Sequence, residues 1–125
     1  MNKTGIIMTN YVYYHNPRCS KSRQGLALLE QNGIDIDIKE YIKVPFIEKE
    51  VEGLFNALGL NCANDMIRKK EKEYIEAGLN DESSNSQVIS AIVKYPKLLE
   101  RPILTNGINA AIGRPLDNFQ ELITG

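Results

Sequence analysis

Tryptophan is absent from this 125-residue chain, histidine occurs once and cysteine twice. A single histidine, His15, excludes metal centres built on several imidazoles. Two cysteines, Cys19 and Cys62, are too few for a disulfide framework. None is required, because a domain of roughly 120–150 residues buries close to 70% of its unfolded surface. No apolar run approaches the roughly 18 residues of a membrane span. The apolar part of residues 1–8 is too short for a signal peptide, and residues 1–10 read as a leader before a single domain at 11–125. An excess of one charge sign is also missing: 15 Lys and Arg face 16 Asp and Glu, for a net charge of −1. That balance excludes a nucleic-acid binder driven by overall charge, while leaving room for a local cationic pocket. A chain with free cysteines and no span is expected in the reducing cytoplasm, away from any membrane.

What is present is a regular alternation of elements. Tyr11-Val12-Tyr13-Tyr14 is β-branched and aromatic and predicts a buried strand. His15-Asn16-Pro17 ends it, and a helix follows from Ser20 to Asn32, with Leu26 and Leu29 inward and Gly33 just past its end. Residues 35–41 alternate as a strand with one wet face. Residues 46–58 carry Val51, Leu54, Phe55 and Leu58 at helical spacing. A shorter helix is predicted over 63–70, and another runs to Lys94 with Ser86 as its cap, stopped by Pro96. Residues 102–105 and 108–112 flank Asn106-Gly107, a hairpin signal, and a last helix is expected over 116–123. The order β-α-β, helices, β-hairpin, helix predicts an α/β domain. Its simplest assembly is a mixed four-stranded sheet with helices on both faces.

Cys19 falls where the first strand gives way to the first helix. A helix N-terminus offers free N–H groups and the positive end of a dipole, and both favour a thiolate. Arg18, Lys21 and Arg23 add positive charge nearby, Ser20 and Ser22 supply hydroxyl donors, and His15 is placed to assist. The same groups would hold an oxyanion against the sulfur. Spacing narrows the chemistry. A phosphatase-type loop needs an arginine six positions after its cysteine, where Gly25 stands. A C-x-x-C dithiol needs cysteine where Ser22 stands. Cys19 is therefore a single-thiol site whose disulfide partner is a small thiol, another protein or Cys62, and Cys62 itself reads as a half-buried core residue.

Four segments together resemble the glutaredoxin-coupled arsenate reductase family. They are the run Tyr13-Tyr14-His15-Asn16-Pro17-Arg18-Cys19-Ser20-Lys21-Ser22-Arg23, the segment Met66-Ile67-Arg68-Lys69-Lys70, Leu99-Glu100-Arg101-Pro102-Ile103, and Ile112-Gly113-Arg114-Pro115. The spelling around Ser20-Lys21-Ser22 and the ending of the hairpin are nearest to a reductase-like subgroup of that family. The resemblance covers residues 11–123 and implies a thioredoxin-like fold with an inserted helical segment. It implies Cys19 as the nucleophile that attacks arsenate. Arg68, Arg101 and Arg114, each of which reads alone as a surface residue, become the catalytic and oxyanion-binding arginines, and His15, Ser22 and Arg23 support the thiolate. Thioredoxin-like folds carry a cis-proline beside the active cysteine, which maps to Pro102. The implied partners are arsenate or a similar oxyanion, glutathione as co-substrate and glutaredoxin. No metal, no tightly bound cofactor and no nucleic acid enters the scheme.

Two other classes share parts of this pattern. A general glutathione-dependent thiol oxidoreductase, or a reductase of another oxyanion, would use Cys19 in the same way. Non-enzymatic transcription regulators of the same superfamily typically sense redox state through C-x-x-C. Ser22 in place of a second cysteine, with Arg68, Arg101 and Arg114 retained, argues against that class.

Overall fold

The computed structural model describes residues 11–124, so the expected leader at 1–10 lies outside the described residues. The chain runs β1 (Tyr11–Tyr14), α1 (Ser20–Gln31), β2 (Ile36–Lys39), α2 (Glu48–Leu58), α3 (Lys72–Glu76), α4 (Asn85–Lys94), β3 (Ile103–Thr105), β4 (Ala110–Ile112) and α5 (Asn118–Thr124). Short 3₁₀ turns lie at Ala63–Met66 and Pro96–Leu98.

The sheet order is β2-β1-β3-β4. β1 and β2 are parallel, and β1 with β3 and β3 with β4 are antiparallel. Strand periodicity divides the core into two layers. Tyr14 and Ile103 join Val51, Leu54, Val88, Ile92, Leu98 and Leu99 on the α2/α4 face. Tyr13 and Leu104 join Leu29 and Phe119 on the α1/α5 face. The result is the mixed four-stranded α/β sheet that the element order predicts and the thioredoxin-like fold that the resemblance implies, with residues 63–98 supplying the inserted helical pieces between α2 and β3.

Local details differ from the sequence reading for physical reasons. The helix expected over 63–70 is only a 3₁₀ turn, because Ile67 leaves it to form an antiparallel bridge with Leu99. The Arg68 amide donates to the Leu98 carbonyl at 2.7 Å and the Glu100 amide to the Met66 carbonyl at 2.8 Å. Helix α3, which follows, buries no residue and so leaves no periodic trace in the sequence. The cap of α4 is Ser84, not Ser86: its hydroxyl accepts from the Gln87 amide, and the Gln87 side chain accepts from the Ser84 amide, a reciprocal capping box. The hairpin is looser than Asn106-Gly107 alone requires. Asn106 Oδ1 accepts from the amides of Ile108 and Asn109, so the loop spans 106–109 and β4 starts at Ala110. Helices α2 and α5 each start two residues later than expected, with Phe46 in the core ahead of α2.

Candidate active site

The site is assembled where β1 ends. Cys19 is the N-cap of α1, with extended backbone (φ −94, ψ 122) and no side-chain cap hydrogen bond. Its amide donates to the Asn16 carbonyl at 2.9 Å, which closes a tight turn before the helix. The half-buried sulfur therefore faces the open amides of the first helical turn. Burial pushes the thiol pKa up. The Ser22 amide, the Arg101 guanidinium and the Lys21 amide pull it down and prevail, so the thiol lies below its ordinary value. A thiol so depressed is more of a nucleophile at neutral pH.

The loop carrying Cys19 is tied to β1 through Ser22, a fully buried serine. Ser22 Oγ lies 3.0 Å from His15 Nδ1 and accepts from the Asn16 amide at 3.0 Å. The Tyr13 hydroxyl donates to the Ser22 carbonyl at 2.6 Å. Gly25, one turn further on, is required for this approach, because a Cβ there would run into the Tyr13 hydroxyl. The residues expected to support the thiolate thus act by different routes. Ser22 acts through its amide and its hold on the loop. His15 bonds to Ser22. Burial lowers its pKa, Glu40 opposes this and Arg23 reinforces it, so the ring is neutral at pH 7. Arg23 donates to the Pro17 carbonyl at 2.7 Å and braces the loop from outside.

Three arginines arrive from distant segments. Arg114 Nη2 lies 3.9 Å from Cys19 Sγ, and its Nε donates to the Arg101 carbonyl at 2.7 Å. The Arg101 side chain is only 13% exposed. Its Nη1 donates to the Lys97 carbonyl at 3.4 Å, and its buried Nε has no hydrogen-bond acceptor among the described residues. Burial opposes the Arg101 charge, but Tyr41 and the Cys19 sulfur hold its pKa above the ordinary value. The peptide bonds Arg101–Pro102 and Arg114–Pro115 are both cis. Arg68 joins the group through the Ile67–Leu99 bridge, which sets it beside Glu100.

Two carboxylates that the sequence reading did not single out organise these cations. Glu100 Oε1 pairs with Arg114 Nε at 3.2 Å and with Arg68 Nη1 at 3.4 Å. Glu71 Oε2 pairs with Arg68 Nε at 3.1 Å and with Arg101 Nη2 at 3.9 Å. Their sequence signals are slight: Glu71 stands three residues after Arg68, and Glu100 immediately precedes Arg101. Tyr41 is a further member. Its hydroxyl is pushed up to about 12 by burial, with the Arg101 charge opposing. A cavity of about 410 Å³ opens beside this cluster, lined by Arg68, Lys69, Lys70, Glu100 and Arg114 together with Ile67.

Cys62, on the 3₁₀ turn beside α4, is a free, partly buried cysteine, and Cys19 is likewise free. Among the described residues no three His, Cys, Asp or Glu side chains converge as a metal-binding group. No helix among them is long and apolar enough to cross a membrane.

A thiol with a lowered pKa at a helix N-terminus, with guanidinium groups beside it on a thioredoxin-like sheet, defines a class: single-thiol domains whose geometry suits an anion held against sulfur. The chain belongs to the ArsC family, whose profile matches residues 14–122. The arsenate reductase of Neisseria meningitidis serogroup A is 44% identical over 111 residues, spanning 88% of this chain and 95% of that protein. The uncharacterized protein YfgD of Escherichia coli K12 is 42% identical over 111 residues, spanning 88% of this chain and 93% of that protein. The solved arsenate reductase from Vibrio cholerae matches with a TM-score of 0.84 at 41% identity, covering 90% of this chain and 97% of that one.

Proposed function

We propose that this chain is an oxidoreductase that reduces arsenate to arsenite, with glutathione as the electron donor and glutaredoxin as the partner that restores the thiol. The observation that carries the reading is the convergence of Arg101 and Arg114 on a Cys19 thiol whose pKa is lowered. Identity with relatives named arsenate reductase supports arsenate as the oxyanion.

In this scheme the guanidinium groups of Arg68, Arg101 and Arg114 take the arsenate oxygens, a task for which planar paired donors are suited. The Cys19 thiolate attacks arsenic. An S–As bond forms, and one As–OH leaves as water with a proton from solvent. A glutathione thiolate then attacks the Cys19 sulfur. The new S–S bond forms as the S–As pair passes to arsenic, which falls from As(V) to As(III) and is protonated to arsenous acid. The glutathione–Cys19 disulfide that remains is opened by a glutaredoxin thiolate, which attacks the glutathione sulfur and releases Cys19. A cytoplasmic setting, where both reductants are available, fits the reaction.

The test couples arsenate reduction to NADPH oxidation through glutathione, glutaredoxin and glutathione reductase. Arsenate-dependent turnover is expected for the wild type and none for Cys19→Ser. A wild-type rate no higher than that of Cys19→Ser overturns the proposal. Glutathione exchange at Cys19 without arsenate dependence would assign the chain to general thiol oxidoreductases instead.

A further inference from the structure

A second cavity, of about 460 Å³, adjoins the Cys19 loop, and it shares no lining residue with the cavity beside the arginines. Its walls include Asn16, Pro17 and Arg18, the three residues immediately before the nucleophile, with Glu40, Lys43 and Lys97 facing them. The Cys19 amide bonds back to Asn16, and the Arg18 amide donates to Asn16 Oδ1 at 3.1 Å, so one turn of chain separates this wall from the sulfur. The far wall is linked to the site too: the Lys97 carbonyl accepts from Arg101, the guanidinium that lowers the thiol pKa.

The charges of this cavity are unequal. Three cations, Arg18, Lys43 and Lys97, face one carboxylate, Glu40. Lys43 is paired with Glu40 at 3.1 Å. Among the described residues neither the Arg18 nor the Lys97 side chain has an acidic partner. A cavity of this volume is within the range that small ligands occupy, and its charged groups stand on a largely apolar wall. Two uncompensated cations in a cavity walled by the loop that carries Cys19 fit a thiol compound that carries carboxylates at both ends. The Glu40 carboxylate suits an ammonium group, and Ile42 and Pro17 give the ligand an apolar wall. A γ-glutamyl tripeptide thiol has this set of groups: two carboxylates, one ammonium and a central thiol.

We infer that the groove between Arg18, Lys43 and Lys97 is the binding site for the glutathione moiety, separate from the cavity beside the arginines. The assignment rests on the proposed use of glutathione but not on arsenate. Arg18 and Lys97 hold the two carboxylates, and the ligand sulfur is delivered to Cys19 from this side. The two co-substrates then bind without excluding one another.

The experiment follows disulfide exchange at Cys19 by intact mass, with no arsenate present. The Cys19 thiolate attacks one sulfur of a symmetric disulfide, a mixed disulfide forms and one thiolate leaves, so the reaction is balanced without another reagent. Oxidised glutathione, neutral 2-hydroxyethyl disulfide and cationic cystamine are compared on wild type, Arg18→Glu/Lys97→Glu and, as a remote charge control, Lys49→Glu. The double variant is expected to react with oxidised glutathione about 10-fold more slowly and with cystamine faster. Its rate with 2-hydroxyethyl disulfide reports the thiol's own reactivity, and the changes with the two charged reagents are read relative to it. Lys49→Glu should match wild type with all three reagents.

An equal loss with all three reagents, an equal loss in Lys49→Glu, or no loss with oxidised glutathione overturns the inference. So does a double variant that reacts normally with oxidised glutathione but is no longer resolved by glutaredoxin, since the groove would then serve a protein partner. Because no arsenate is used, failure of the arsenate assay leaves this result standing, and failure here leaves the arsenate assay standing. If arsenate turnover is found, the double variant should raise the KM for glutathione about 10-fold, well beyond any change in the KM for arsenate.

Discussion

Glu100 Oε1 lies 3.2 Å from Arg114 Nε, so the guanidinium that reaches the Cys19 sulfur is held from behind by a carboxylate. The same oxygen also holds Arg68, which lies 32 positions away in sequence. The pair is partly exposed, and such pairs contribute roughly 0–1 kcal/mol to stability. Its consequence is therefore expected in the placing of the cations more than in folding. Glu100→Gln should leave the melting temperature within a few degrees of wild type and lower arsenate kcat/KM about 10-fold. Side-by-side thermal melts and steady-state kinetics check this, and a large loss of melting temperature with unchanged kinetics would contradict it.

Arg101 is the side chain that most lowers the Cys19 thiol pKa. Its removal should act twice, on the nucleophile and on oxyanion binding. Arg101→Ala should lose about 100-fold or more in arsenate turnover while the far-ultraviolet circular dichroism persists. The pH profile of Cys19 alkylation by iodoacetamide should also shift. In wild type the rate rises with its midpoint below that of an ordinary thiol, and in Arg101→Ala the midpoint moves to higher pH. An unchanged alkylation profile would remove Arg101 from the neighbourhood of the thiolate.

The strand, the thiol and the first helix are legible in the sequence because their signals are local: an aromatic β-branched run, a proline and a helical stripe. The layered sheet follows from the same period-two and period-3.6 patterns. The arginines are a different matter. Nothing local marks Arg68, whose segment reads as helix. Only the backbone pairing of Ile67 with Leu99 turns it toward Glu100. Glu71 and Glu100 take their roles from partners brought together by folding, and a charged residue in isolation reads as solvated. Ser84 shows a signal that was present but needed the right spacing: Ser84 and Gln87 are three apart, whereas Ser86 has no such partner.

His15 makes stability depend on pH. Burial holds its folded pKa below the unfolded value of 6.5, with Glu40 opposing and Arg23 reinforcing the shift. The unfolded chain therefore binds a proton at a higher pH than the folded chain does. The stabilisation is fully present above about pH 6.5 and is lost as pH falls through the folded pKa. The Ser22 bridge belongs to this balance, since a protonated Nδ1 must donate to Ser22 Oγ, which also accepts from Asn16. Urea unfolding at pH 7.5 and pH 5 should show a larger loss of stability in wild type than in His15→Asn. The variant itself should be less stable than wild type at pH 7.5. Equal losses in the two proteins would exclude His15 as the source.

Gly25 offers a test of how tightly the thiol loop is built. Helix propensity alone favours alanine there by about 1 kcal/mol. Against this, an added Cβ would strike the hydroxyl of Tyr13, a fully buried ring that has no room to withdraw. It would also meet Leu116 at 3.2 Å and Phe119 at 3.3 Å. Overpacking of this kind costs roughly 1–3 kcal/mol, and displacing Tyr13 from the Ser22 carbonyl loses about 1 kcal/mol more. The clash therefore outweighs the propensity, and Gly25→Ala should be destabilised by about 1–3 kcal/mol in chemical denaturation. Because Tyr13 anchors the residue whose amide lowers the Cys19 pKa, the alkylation midpoint of Cys19 should rise in the same variant. A variant as stable as wild type, with an unaltered thiol, would mean that the first turn of α1 tolerates repacking without moving the nucleophile.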